Sequence, residues 1–334
     1  MLGITRHQIP DPKNDQVVLK LVGASINPAD LNQVEGVYPT KPRMRKDLVS
    51  SEQVAIGGNE GCFEVIQAGP DAAIPVGNWV LPRVTSFGTW TTHSIASSGD
   101  LIDLGLPHGL SPVQAATLSV NPSTAYRMLK DFVKLDSGDF FIQNGGNSGV
   151  GRMCIQLANL WGYKSISVVR DRRDIDELKQ ELTDLGATYV ITEEQINDKS
   201  IKHIINDWTN GKGIKLGLNC VGGRSCTNLA RQLGSDAKIV TYGGMSKQPV
   251  SLPTSLYIFK NISSHGFWLT PWGQANVEAR NQMIGELANY FRNGDIVESA
   301  TTQVQWSSEK LDAELLNLFI GALSGKGKHI LIGS

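Results

Sequence analysis

The sequence predicts an α/β protein in which a parallel sheet covered by helices is set between two stretches of strand-rich chain. Three observations carry that expectation. Apolar β-rich runs alternate with helical patterns from Asp139 onward, the chain before about Leu118 is dense in Gly and Pro, and 334 residues exceed what one hydrophobic core usually organises. The boundaries read from these changes are 1–118 for the strand-rich part, 119–258 for the parallel-sheet domain and 259–334 for a return to the first part.

The first part holds short apolar runs at residues 17–22, 62–66 and 79–81, each bounded by turn-forming residues, which predicts strands. In the second part the runs at 140–143, 165–169, 189–191, 216–220 and 238–242 predict parallel strands with helices between them. One of those helices is legible in detail. Ile175, Leu178, Leu182 and Leu185 recur at helical spacing, Asp174 with Glu177 predicts a capping box, and Gly186 supplies the stop. The tail predicts a helix over 276–292 and a closing strand over 330–332.

Charge excludes one broad class of function. Lys and Arg number 31 against 32 Asp and Glu, a balance unlike that of proteins that mainly grip nucleic acid, so recognition of phosphate has to be local. Cys62, Cys154, Cys220 and Cys226 form no closely spaced pair and read as reduced thiols. The six histidines are scattered without an i, i+4 pair, and read as surface or locally hydrogen-bonded residues. No apolar run is long enough to span a bilayer, and the first residues hold neither a signal-peptide core nor an Arg-rich amphipathic helix.

The strongest local signal is QNGGNSGVG, residues 143–151, which follows a predicted strand and opens a helix predicted over 150–161. Its amides and helix N-terminus suit a pyrophosphate, although the glycines depart from the G-x-G-x-x-G spacing, and a Gly-rich strand-to-helix turn with no ligand is the alternative. About twenty residues on, where NAD-binding folds place an acid against the ribose 2′-hydroxyl, this chain has Arg170, Asp171 and Arg172. Two guanidinium groups match a 2′-phosphate, so NADPH is favoured over NADH. The alternative is a solvated charge cluster at the start of the next helix, a description that suits Arg173.

INPADLNQVEGVYP at 26–39, GNEGCFEV, SVNPSTAY, RDR, YGGMSKQPV and GFWLT together resemble the mitochondrial trans-2-enoyl thioester reductases, the fungal branch above all, within the zinc-free part of the medium-chain dehydrogenase/reductase superfamily. The resemblance runs from about Val17 to the C-terminus. It implies a Rossmann-type domain inserted into a GroES-like catalytic domain built from both chain ends, with a further strand region ahead of Val17. It also implies NADPH as cofactor, enoyl thioesters of acyl carrier protein or coenzyme A as substrates, a homodimer and a mitochondrial location, with no nucleic-acid partner and no membrane span. By matching position Tyr38 is the catalytic proton donor. Asn121, Asn147, Ser148, Gly149, Val150, Arg170, Asp171, Arg172, Tyr242, Gly243, Gly244, Met245, Phe267, Trp268, Leu269 and Lys328 are the cofactor contacts.

Where zinc-dependent members of that superfamily carry a His ligand this chain has Asn59, and INPADLNQ offers no Cys. Catalytic zinc generally needs three protein ligands, so no metal site is expected, and Glu60 reads as a structural ion pair or hydrogen bond. Reduction then needs hydride at the β-carbon of the enoyl thioester and a proton at its α-carbon. A phenol is protonated near neutral pH, and Tyr38 sits in a Gly-Val-Tyr-Pro turn whose backbone Pro39 restricts. Read alone, Tyr38 is better explained as an aromatic packing residue with its hydroxyl tied to backbone; the resemblance reverses that and favours the donor. Trp268 reads equally as core packing or as a nicotinamide wall. Two rivals remain: a zeta-crystallin-like NADPH quinone oxidoreductase, and an NADPH-binding protein without catalysis.

Overall fold

The structure, a computed structural model, describes residues 2–45, 54–325 and 327–334. Strand β1 (Gln16–Ser25) is aliphatic on both faces and buried along most of its length. The reason is that its faces meet two cores, Val17, Leu19 and Leu21 on one side packing in the main core and Val18 on the other against Ile56 and Ile95, with Lys20 left half-buried. Asn27 then starts helix α1 (Pro28–Val34), whose first-turn proline lacks only an N–H that would have no intrahelical partner. Gly36, at φ +76°, ends it and turns the chain toward Tyr38. Strands β2 (Gly61–Ala68), β3 (Trp79–Pro82), β4 (His93–Ser97) and β5 (Leu101–Gly105) follow. Helix α2 (Pro112–Thr117) closes the segment with a capping box, the Gln114 N–H donating to Ser111 Oγ at 3.1 Å and the Ser111 N–H to Gln114 Oε1 at 2.9 Å.

From α3 (Asn121–Asp131) the period changes. Strand β6 (Phe140–Asn144), α4 (Gly149–Leu160), β7 (Lys164–Val169), α5 (Ile175–Asp184), β8 (Tyr189–Thr192), α6 (Glu193–Asn197) and α7 (Ile201–Trp208) form the first half of a doubly wound unit. Strand β9 (Ile214–Asn219), α8 (Gly223–Arg231), β10 (Leu233–Thr241), the short β11 (Gln248–Val250), α9 (Thr254–Lys260), β12 (Ser263–Gly266) and α10 (Leu269–Ala275) form the second. The six sheet strands are all parallel in the order β12-β10-β9-β6-β7-β8. Numbered within the unit, that is the Rossmann order, and it reverses between β6 and β9, where ligands of such sheets bind beyond the carboxyl ends. Ile142, Ile166, Leu229 and Ile239 fill its main core.

The chain then returns through α11 (Val277–Asn293), β13 (Thr301–Trp306), α12 (Asp312–Ser324) and β14 (Lys328–Gly333). Strand β14 pairs antiparallel with β1, giving a sheet of order β13-β14-β1-β2-β3-β5 with β4 also on β1. Trp306, Phe319 and Leu331 from the tail join Leu19, Phe63 and Trp90 in one core. Residues 1–120 and 277–334 therefore make one compact unit, and 121–276 the other.

Three expectations differ from this. The second unit runs past 258 to Asn276, because Ser263–Gly266 adds a strand to its sheet beside β10. Asp174 makes no capping bond: at φ −94° and ψ 34° its backbone lacks the extended geometry that brings a side-chain oxygen back over the first turn. No strand precedes β1 among the described residues.

Candidate active site

The turn between β6 and α4 is shaped by the absence of side chains. Gly145 has φ +60°, and a Cβ there would lie 2.6 Å from Cys220 Sγ. At Gly151 a Cβ would come within 2.6 Å of the Gly145 carbonyl oxygen, so helix and turn approach as closely as backbone allows. Ser148 caps α4 by accepting the Gly151 N–H at 3.1 Å. Such a cradle, opening at the N-terminus of a twelve-residue helix, fits a pyrophosphate. Asn121 lies against it, because a Cβ at Gly149 would meet Asn121 Nδ2 at 2.5 Å.

The other expected cofactor residues of this unit sit along the same edge. Arg170, Asp171 and Arg172 follow directly on β7, and the Gly146 N–H donates to Val168 O at 3.1 Å, joining the end of β7 to the glycine turn. Arg170 and Asp171 are exposed and Arg172 half-buried. Tyr242, Gly243, Gly244 and Met245 follow β10 and fold over the loop after β9, with Met245 N–H donating to Cys220 O at 2.9 Å. The Tyr242 hydroxyl is buried against Cys220 and Ser148 without a hydrogen bond of ordinary geometry; burial first, then the Cys220 thiol, pushes its pKa well above the usual phenol. Phe267, Trp268 and Leu269 follow β12, with Phe267 N–H donating to Thr241 O at 2.9 Å. Trp268 is 42% exposed, which excludes the reading as core packing.

Two features of this edge escaped the sequence reading. Asn144 and Asn219 end β6 and β9, are fully buried, and join side chain to side chain at 2.8 Å. Asn144 Oδ1 accepts the Cys220 N–H at 2.8 Å and Asn219 Nδ2 donates to Thr241 Oγ1 at 3.1 Å, so this pair holds the strand ends at the topological switch point. A polar residue closing each of two apolar runs was the available signal. Arg152 is the second. Its Nε donates to Asn147 O at 3.2 Å while its guanidinium pairs with Glu181 on α5 at 2.7 Å, holding the Glu181 carboxyl below its usual range.

In the first unit Tyr38 is half-buried in the turn after α1, its N–H donating to Asn32 O at 3.1 Å. A buried polar network stands behind that turn. Gln33 Nε2 donates to Thr40 O at 2.9 Å and to Ser86 Oγ at 3.0 Å, and Gln33 Oε1 accepts from Asn59 Nδ2 at 2.9 Å. The same Asn59 amide donates to Asp30 Oδ1 at 2.7 Å, and Asp30 Oδ2 accepts the Asn27 N–H at 2.8 Å. Burial raises the Asp30 pKa to about 6 against the lowering effect of the Asn59 bond. Glu60 is fully buried, accepts from Asn27 Nδ2 at 2.8 Å, Val120 N–H at 2.7 Å and Ser25 Oγ, and stands 3.8 Å from Lys328 Nζ. Glu60 is thus a hydrogen-bonded, ion-paired structural carboxylate. Lys328 also donates to Asn27 Oδ1; burial lowers its pKa, and Glu60 and then Asp30 oppose that. Among the described residues no group of three or more His, Cys, Asp or Glu is placed to hold a metal ion.

Residues 149–286 match the model of a family described as zinc-binding dehydrogenase. Over 336 residues the chain is 47% identical to the mitochondrial enoyl-acyl-carrier-protein reductase of Yarrowia lipolytica, an alignment covering 99% of this chain and 88% of the relative. Among solved structures, the Etr1p/NADP/crotonyl-CoA complex superposes with a TM-score of 0.92 at 39% identity, covering 98% of this chain and 94% of that one. The mitochondrial 2-enoyl thioester reductase Etr1p/Etr2p heterodimer from Candida tropicalis gives 0.91 at 41% identity over 96% of this chain and 92% of that one.

Proposed function

The chain belongs to the family of mitochondrial enoyl-acyl-carrier-protein reductases, and from that premise we propose that it uses NADPH to reduce the 2,3 double bond of trans-2-enoyl thioesters in mitochondrial fatty acid synthesis. The supporting observation is that the segments at 147–150, 170–172, 242–245 and 267–269 all follow strands at the carboxyl edge of one parallel sheet. The amides of Asn147, Ser148, Gly149 and Val150, with Asn121 beside them, would hold the pyrophosphate, and Arg170 and Arg172 the 2′-phosphate. Tyr242, Gly243, Gly244, Met245, Phe267, Trp268, Leu269 and Lys328 complete the proposed contacts.

NADPH, when bound, supplies the hydride that the β-carbon takes up. The conjugated thioester carbonyl accepts the resulting charge as an enolate. A phenol has a proton to give near neutral pH, and Tyr38 is the proposed donor to the α-carbon. The network of Asp30, Asn59 and Gln33 fixes the turn that presents it. The proposed carriers are acyl carrier protein and coenzyme A, and the proposed assembly is a homodimer.

The test follows NADPH oxidation with crotonyl-CoA, a long-chain 2-enoyl-CoA and a quinone in parallel. Turnover of the enoyl thioesters is the expected result. Consumption with the quinone alone would assign a quinone oxidoreductase, and none with any acceptor an NADPH-binding protein.

A further inference from the structure

A cavity of about 410 Å³ lies in the first unit between Arg83 just after β3, strand β5 and helix α11. Its floor is apolar, with Ile74, Leu101, Ile284 and Ala288 all buried. Its wall is cationic. Arg83 and Arg292 both line it, and Arg280 packs behind Arg83 with its guanidinium donating to Arg83 O at 2.7 Å.

None of these three arginines has a carboxylate within ion-pairing distance among the described residues. Arg83 donates to Asn281 Oδ1 at 3.0 Å and Leu101 O at 2.8 Å. Arg292 donates to His108 O at 3.2 Å, Leu104 O at 2.9 Å and Asn289 Oδ1 at 3.2 Å. Every acceptor is neutral. The one carboxylate on the wall, Asp103, is occupied by Asn78 Nδ2 at 3.0 and 3.1 Å and by the Gly105 N–H at 2.8 Å. The Arg83 Nε is buried and has no hydrogen-bond partner. Burial first, then the neighbouring Arg83, disfavours the charged form of Arg280.

Partly buried charge is costly unless paired, and guanidinium groups pair best with phosphate and carboxylate oxyanions. A cavity that gathers unpaired guanidinium charge over an apolar floor is therefore incomplete without an anion. We propose that this cavity is a binding site for a phosphate monoester, its phosphoryl group beside Arg83 and Arg292 and its organic part on the floor of Ile74, Ile284 and Ala288. The phosphoryl group comes either from a free phosphorylated metabolite or from the 3′-phosphate of coenzyme A. The phosphate site itself does not depend on the reaction proposed above; only its coenzyme A source rests on that reading.

The experiment titrates the full chain, saturated with NADP⁺, with inorganic phosphate, glycerol 3-phosphate, coenzyme A and 3′-dephospho-coenzyme A, reading heat and Tm. It is repeated on Arg170→Ala/Arg172→Ala, so that the proposed 2′-phosphate site contributes nothing. Binding by the wild type is expected, weakened at least about tenfold in Arg83→Gln and in Ser98→Glu, with NADPH affinity unchanged in both. Ser98 is a half-buried wall residue, so its variant decides the matter if Arg83→Gln does not fold. A preference for coenzyme A over its dephospho form identifies the substrate as the source; equal affinity for glycerol 3-phosphate identifies a free metabolite. No phosphate binding by the wild type, or equal affinity in both variants, overturns the site. No NADPH oxidation enters the measurement, so failure of the proposed reaction leaves it intact.

Discussion

Gln33 and Thr40 are joined by a hydrogen bond of 2.9 Å from a buried side-chain amide to a backbone carbonyl, tying helix α1 to the chain just beyond Tyr38. Gln33→Leu removes that tie and leaves the Thr40 carbonyl and the Asn59 amide each short of a partner. A loss of about 1–3 kcal/mol in unfolding free energy is expected, the cost of unsatisfied buried polar groups. Turnover should fall with NADPH affinity unchanged; equal kcat in the variant would separate the network from the reaction.

Tyr38→Phe keeps the ring and removes the proton. General acid catalysis typically contributes about 10²- to 10⁴-fold, so kcat should drop by at least about a hundredfold while NADPH binding, followed by fluorescence titration, stays as in the wild type. Near-normal turnover would reject the donor role.

Arg170→Ala/Arg172→Ala should weaken NADPH binding by roughly 10- to 100-fold, the worth of one or two charge-assisted hydrogen bonds, and leave NADH binding almost unchanged. Measured side by side, an undiminished preference for NADPH would place the 2′-phosphate elsewhere.

Asp30 gives a pH dependence with a definite sign. Its folded pKa, raised by burial from 3.8 to about 6, makes the folded state the tighter proton binder between those values. The associated stability is present in full below about pH 4 and is lost as the pH rises through 6. Asp30→Asn should lack this component, so denaturant titrations from pH 4 to 7 should give a flatter curve for the variant than for the wild type. Parallel curves would contradict the assignment.

Gly151→Ala tests the cradle. The added methyl would meet backbone oxygen, which cannot rotate away as a side chain can, so about 1–3 kcal/mol of overpacking strain is expected. NADPH affinity should fall with it.

What the sequence made legible follows from the range of the forces involved. The helix Ile175–Asp184 was readable because Leu178 and Leu182 pack at helical spacing and Gly186, at φ +100°, ends it where expected. The returning helix Val277–Asn293 lies one residue from its expected bounds for the same reason. Local pattern could not report that β12 pairs with β10, because Ser263–Gly266 carries no apolar alternation. The glycine turn and the Arg pair were visible as motifs. The bond between Asn144 and Asn219 was not, since it links residues that only the strand order brings side by side.

The pairing of β1 with β14 also governs how the protein matures. Gly23–Ser25 wait for Ile330–Ile332, so the first unit's sheet stays open until the tail has left the ribosome, while residues 121–276 are already all available. At about 5–20 residues per second, the exposed edge of β1 persists for many seconds of synthesis. Only the Gly23–Ser25 end of β1 is left waiting, since β2 and β4 pair the rest, but its free backbone groups are an open sheet edge of the kind that templates aggregation, which makes nascent β1 a natural client for a chaperone.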